Sequence, residues 1–319
     1  MQLNHSKRRE RTITLIALFT VSVAFVVSLV SEDWVASLRG DDGVPAVVTE
    51  PVRDLALVES AAPDLPFDVT ERVQYWIDRF LTSQRRSFEI YLSREGIYGE
   101  MIRSKLRERG MPEDLLYLAM MESGLSPDAV SPVAAAGVWQ FMHATAKERG
   151  LRIDTYVDER RDPVRATDAA LDYLEYLHGR FDSWYLAAAA YNAGPGRVSG
   201  ILRRHGGARG GDEQLYWEIW HMLPQETQDY VPKILAARVI AGDPEAFGLS
   251  VGLLEPYQFD QVMVPGGTSL PAIADALGVE VQLVRDLNPQ LLRGLTPPGG
   301  YMLRIPLGES HRLVSALND

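Results

Sequence analysis

From Thr70 to about residue 241 the apolar residues recur at three- and four-residue steps, and no one-by-one alternation appears. That period belongs to helices buried along one face, not to half-buried strands. Val73, Trp76, Ile77, Phe80 and Leu81 open the pattern. Further helices are expected over about 98–109, 112–123, 163–180, 184–193, 212–222 and 227–241. The body of the chain is therefore mainly α. Past residue 256 the character changes. Gln261-Val262-Met263-Val264 leads into Pro265-Gly266-Gly267, two short amphipathic helices follow, and Tyr301-Met302-Leu303-Arg304-Ile305-Pro306 closes the segment. A small α+β module with the order strand, helix, helix, strand fits residues 256–308.

Ahead of the body lies an uncharged run, Ile13–Val30, preceded by Lys7, Arg8, Arg9 and Arg11 and followed by Glu32 and Asp33. As a helix it spans about 27 Å, close to the hydrocarbon core of a bilayer. The flanking charges put the N-terminus in the cytoplasm and the rest outside. Residues 1–36 are thus expected to be a cytoplasmic tip and transmembrane anchor, facing the periplasm from an inner membrane. A cleaved signal peptide is the competing reading and would leave the protein free in the periplasm. Its apolar stretch is normally shorter, and only Val35-Ala36-Ser37 resembles a cleavage site. Residues 37–70, with Pro45, Pro51, Pro63 and Pro66 among acids and small residues, read as a flexible linker. The helical domain is expected over 71–248.

Asp and Glu number 43 against 32 Lys and Arg, a net charge of -11, which disfavours nucleic-acid binding. Cysteine is absent, so disulfides, thiolate nucleophiles and zinc–cysteine sites are excluded. The six His residues lack metal-ligand spacing, and no metal or other cofactor is expected.

One carboxylate stands apart. In Met111-Pro112-Glu113-Asp114-Leu115-Leu116-Tyr117-Leu118-Ala119-Met120-Met121-Glu122-Ser123-Gly124, Pro112 opens a helix and Gly124 stops it. Glu122 follows Ala119 by three residues, Leu118 by four and Leu115 by seven, so it projects from the apolar stripe. Lost solvation and the negative end of the helix dipole both favour its protonated form and raise its pKa. A general acid needs that near neutral pH. The plainer reading is a Glu that reaches water or pairs with an Arg at the helix end.

Glu122-Ser123-Gly124, then Gly137-Val138-Trp139-Gln140-Phe141-Met142, then Ala190-Tyr191-Asn192-Ala193-Gly194 occur in that order. Together they resemble the soluble-lytic-transglycosylase (SLT) domain, a lysozyme-like helical fold. Leu223-Pro224-Gln225-Glu226-Thr227-Gln228-Asp229-Tyr230-Val231-Pro232-Lys233 looks like the membrane-bound transglycosylase D branch. The C-terminal segment resembles a LysM module through Gly266-Gly267-Thr268, Leu270, Ile273-Ala274, Gly278-Val279, Leu287-Asn288-Pro289 and Leu303-Arg304-Ile305-Pro306. Its fit is looser: Gly267 replaces the usual Asp, and Pro271 intrudes into the first helix. Glycan binding and inert packing both remain open for it.

The resemblance implies cleavage of the N-acetylmuramic acid to N-acetylglucosamine β-1,4 bond of peptidoglycan without water. Glu122 matches the family's single catalytic carboxyl, which protonates the glycosidic oxygen and then acts as base on the muramic C6 hydroxyl. A 1,6-anhydro end results. An intramolecular nucleophile removes the need for the second carboxylate of ordinary glycosidases. Ser131 and Gln140 match sugar-contacting positions, and Met142 a cleft-lining one. Tyr191 matches a tyrosine bordering the cleft, Asn192 the asparagine that fixes its wall, and Tyr230 a tyrosine beside the acid. Several of these residues also have structural readings. Trp139 and Phe141 suit a core as well as a sugar platform, Asn192 a backbone bond at a helix end, and Glu226 a cap or ion pair. Asp128 reads as a loop or cap residue. Gly206–Gly211 reads as a flexible loop, and Ala187–Ala190 as a surface for close helix packing. A water-using muramidase and a non-catalytic wall-binding scaffold are the rival functions. The expected partners are peptidoglycan glycan strands and, through the N-terminal helix, the membrane.

Overall fold

The computed structural model describes residues 64–67, 69–205 and 211–318. The expected anchor Ile13–Val30, the linker up to residue 63 and most of the glycine-rich loop, 206–210, lie outside the described residues. Among the described residues no helix is long and apolar enough to cross a membrane.

Helix α1 (Glu71–Leu81) starts where the Thr70 hydroxyl accepts the Val73 amide, and it buries Val73, Trp76, Ile77 and Phe80 as their spacing predicts. Helix α2 (Arg85–Glu108) begins well before the expected residue 98. Its first half shows only Phe88 and Leu92 to the core, and Gly96 interrupts the pattern. Gly96 is needed for a different reason. A Cβ there would lie 2.6 Å from the Leu254 carbonyl oxygen, so its absence lets the chain leaving the body cross the helix. Phe80 and Phe88 stack with centroids 4.6 Å apart and tie α1 to α2.

A 3-10 turn (Glu113–Leu115) leads into α3 (Leu116–Ser123), which ends at Gly124 in the left-handed region, φ 60°. A Cβ on Gly124 would fall 2.2 Å from the Tyr91 ring. After a loop come α4 (His143–Glu148), which the sequence pattern did not announce, and α5 (Pro163–Phe181), capped by Asp162. Helix α6 (Trp184–Ala193) presents Ala187 to Ala190, each at most 4% exposed, to α5 and to the long helix α9. Small side chains there allow the close approach. Helices α7 (Pro195–Arg204), α8 (Gln214–Ile219) and α9 (Gln225–Gly242) complete the body. The end of the expected linker belongs to the body. Leu65 is buried, its amide donates to Asp114 (3.0 Å) and its carbonyl accepts from Arg238 (2.7 Å).

The C-terminal segment has the anticipated order: β1 (Phe259–Val264), α10 (Leu270–Leu277), α11 (Val281–Leu287) and β2 (Tyr301–Pro306). The strands pair antiparallel, Phe259 opposite Pro306 and Val264 opposite Tyr301. A further helix, α12 (Ser310–Asn318), continues past the expected end at 308 and buries Leu313 in the same core.

That second core also contains Val157 from the loop between α4 and α5. Val157 bridges Leu291, the Leu292 amide donates to the Tyr156 carbonyl (2.9 Å), and the Asp158 amide donates to the Gln290 carbonyl (3.0 Å). Arg304 on β2 reaches across to Asp162 at 2.8 Å, with both side chains 5% exposed. A buried charge of this kind persists only when paired. Body and module are therefore packed together through the loop 151–162.

Candidate active site

Glu122 lies on the last turn of α3, and its carboxylate accepts a short hydrogen bond from the Tyr230 hydroxyl on α9. Burial raises the Glu122 carboxyl from its usual 4.5 to about 7; the Tyr230 bond and Lys233 oppose the rise, and Glu226 adds to it. The Tyr230 phenol is itself pushed well above its ordinary value, first by burial and then by Glu122, so it remains a donor. Burial, which its place on the apolar stripe leads one to expect, is the first cause of its raised pKa. The carboxyl is half protonated near neutral pH.

Glu226, Tyr230 and Lys233 follow one another at four- and three-residue steps and share one face of α9. Asn192 at the end of α6 ties that helix in place. Its amide nitrogen donates to Glu226 (3.3 Å) and its oxygen accepts from the Thr227 hydroxyl (2.7 Å). Asn192 therefore bonds side chains and not a helix-end backbone. The Tyr191 hydroxyl donates to the Trp139 carbonyl (2.8 Å), linking α6 to the loop after α3. Lys233 lies over the Trp76 ring at 4.4 Å.

That loop is bound to α3 through Ser123, whose hydroxyl donates to the Val138 carbonyl (2.7 Å) and accepts the Ser126 amide (3.2 Å). Ser131 closes a tight turn, accepting the Ala135 amide (3.0 Å). Gln140, at φ 48°, donates to the Gly137 carbonyl (2.9 Å) and the Ala129 carbonyl (3.2 Å). Met142 is exposed at the start of α4. Trp139 is fully buried, its indole bonded to Thr167 (2.9 Å), and Phe141 is buried too, so both are core residues. Asp128 pairs with Arg161 (3.2 Å) on an exposed turn.

Two residues the sequence did not single out hold this loop. Arg160 donates to the Ala134 (2.8 Å) and Phe141 (3.1 Å) carbonyls, and Asp158 grips its guanidinium with both oxygens. The Arg160 carbonyl occupies the space beside Gly137, where a Cβ would lie 1.7 Å from it. Only long-range contact identifies them. No local spacing marks Asp158 or Arg160.

Residues 100–211 match the family model "Transglycosylase SLT domain", and residues 258–319 match "Lytic transglycosylase MltD, LysM-like domain". The chain carries an SLT domain and an MltD-type LysM-like domain. The membrane-bound lytic murein transglycosylase D of Escherichia coli is 32% identical over 220 residues, 68% of this chain and 48% of that protein. The peptidoglycan transglycosylase of an Escherichia phage is 34% identical over 161 residues, 47% of this chain and 11% of that one. Among solved structures, an inactive mutant of lytic transglycosylase Slt from Pseudomonas aeruginosa aligns at a TM-score of 0.37 and 27% identity. It covers 46% of this chain and 24% of that chain. The chain spans about half the length of the first curated relatives it matches. Glu122, Ser131, Gln140, Met142, Tyr191 and Asn192 fall inside the SLT match, whereas Tyr230 lies beyond it.

Proposed function

We propose that the chain is a peptidoglycan lytic transglycosylase, with the SLT domain as the catalytic body (71–248) and the LysM-like module (256–308) beside it. The observation that carries this reading is Glu122: a half-buried carboxyl at about 7, held by Tyr230 next to the motif loop. In the first step Glu122 gives its proton to the glycosidic oxygen as the bond from that oxygen to the muramic C1 breaks. N-acetylglucosamine leaves with a free hydroxyl. In the second step the Glu122 carboxylate takes the proton of the muramic C6 hydroxyl while that oxygen bonds to C1. The 1,6-anhydro ring closes and Glu122 is again protonated, with no water consumed.

Tyr230 orients the acid, and Ser131, Gln140, Met142, Tyr191 and Asn192 form the walls that receive the sugars. Both the SLT match and the murein-cleaving names of the relatives support the substrate class. The same proposal includes Ile13–Val30 as a membrane anchor, or a cleaved leader, with the body facing the periplasm.

The test is mass spectrometry of products from purified peptidoglycan digested with the full chain and with its Glu122→Gln variant. Anhydro-ended muropeptides from the wild type and none from the variant are expected. Free reducing ends in their place would make the chain a hydrolase. Wall binding without products from either protein would make it a scaffold.

A further inference from the structure

A cavity of about 1030 Å³ opens between the SLT body and the LysM-like module, away from Glu122. Its walls come from α2, from the segment Leu125–Asp128, from the crossing segment around Tyr257 and from α11 with the turn after it. That size is at the upper end for small-molecule sites, and domain junctions commonly hold such sites. The Pro265–Ser269 turn of the module takes no part in the lining.

Four features of the lining point to a ligand. Tyr98 is 5% exposed, faces the cavity and has a hydroxyl without a hydrogen-bond partner among the described residues. That hydroxyl is not among the buried atoms left without a partner, so it is open to the cavity and free to bond a ligand there. Arg94 and Arg285 make no ion pair among the described residues, and Arg94 donates only to the Gly124 carbonyl (3.1 Å). Glu255 and Asp286 lie on the same walls without a cationic partner. Leu283, Leu292 and Leu307 are each 44% exposed or more and line the same space. Unpaired guanidiniums select carboxylates, and free carboxylates select amines. The aromatic rings in the lining, Tyr98 and Tyr257, are tilted against each other with centroids 5.3 Å apart and are not stacked side by side as a platform.

We infer that this junction cleft binds the stem peptide of the wall substrate, a short zwitterionic peptide with free carboxylates and an amine. The inference rests on the peptidoglycan reading above and adds a second substrate site to it. The two sites are linked through the chain. Leu125–Asp128 starts three residues after Glu122, and its Ser126 amide is fixed by Ser123 on the catalytic helix. The segment Leu125–Asp128 thus connects the helix end that carries Glu122 with the wall of the cleft. The cleft reads whether that peptide is present.

The test is calorimetric titration of the full chain with a synthetic murein stem tetrapeptide, and with the same peptide carrying carboxamides in place of carboxylates. Saturable binding is expected, weakened about tenfold in the carboxamide peptide and at least that much by Arg285→Glu. Arg285 is exposed and unpaired, so its replacement leaves the fold intact. Tyr98→Phe should weaken binding by a smaller factor, about threefold. Absence of saturable binding, equal binding by Arg285→Glu, or displacement of the peptide by peptide-free glycan would each overturn the assignment. Anhydro-ended products from a chain that ignores the peptide would overturn this assignment alone. Peptide binding by a chain that makes no such products would overturn the catalytic reading and leave the cleft standing.

Discussion

The Tyr230 hydroxyl reaches Glu122 from a helix 108 residues further along the chain, and the bond opposes the effect of burial on the acid. Burial alone would leave Glu122 protonated over a still wider pH range. The phenol draws its pKa back towards neutrality, where one carboxyl can first give a proton and then take one.

Opposite shifts follow from Tyr230 and Glu226, two of the neighbours of Glu122. With Glu122 in the proposed role of general acid, the wild-type kcat/KM should be level below pH 7 and fall as pH rises through about 7. Tyr230→Phe removes a contact that lowers the Glu122 pKa, so the falling limb moves to higher pH, with activity down about tenfold. Glu226→Gln removes a repelling charge and moves the limb to lower pH. Limbs that stay at the wild-type position in both variants would show that Glu122 does not set the profile.

Stability should carry the same signature. The Glu122 carboxyl titrates at about 7 when folded against 4.5 when free, so between those values the folded chain holds a proton that the unfolded chain has lost. Its contribution is full below pH 4.5 and is lost as pH rises through about 7. The loss is at most roughly 3 kcal/mol, less what solvent screening removes. Glu122→Gln is neutral throughout and still accepts from Tyr230. Denaturant melts should find it more stable than the wild type above pH 7 and no better near pH 4.5. A variant less stable than the wild type above pH 7 would contradict this.

Gly137→Ala should damage the fold at the motif loop. Gly137 has φ 80°, and the new Cβ would meet the Arg160 carbonyl at 1.7 Å. A cost of about 3 kcal/mol or more is expected from the clash and the backbone strain together. Thermal melts give the size. A change within a degree of the wild type would mean that the loop moves aside freely.

Arg304→Met should loosen the module before the body. It strands the 5%-exposed Asp162 carboxylate, which keeps only the Val164 and Arg165 amides, at about 3–5 kcal/mol. Calorimetry should resolve two unfolding transitions where the wild type shows one. A single transition at the wild-type temperature would show that the ion pair does not hold the junction.

Local pattern carried most of the helices and the acid itself. The stripe of Leu115, Leu118 and Ala119 located Glu122, and the Gly124 stop marked the end of its helix. Helix α7 escaped because Pro195, Gly196 and Gly200 look like breakers. Pro195 in fact starts the helix at a position where its missing N–H is harmless, and Val198, Ile201 and Leu202 bury its inner face. The start of α2 was hidden by Gly96, whose role is set by Leu254 far along the chain. Trp139 was ambiguous by type and was decided by Thr167. Nothing near residue 160 announces that Arg160 fixes the motif loop, because its partners at Ala134 and Phe141 are backbone atoms.

The loop 151–162 faces two ways. Gln290 of the module holds the Asp158 amide, Asp158 holds Arg160, and Arg160 holds the loop that carries Gln140. Val157 of the same loop completes the module's core. An unrelated C-terminal module grafted at residue 256 would meet an SLT body with an exposed valine, an unpaired Asp162 and a motif loop missing one of its supports. Exchange of modules in a chain of this kind has to carry the 151–162 loop along with the module.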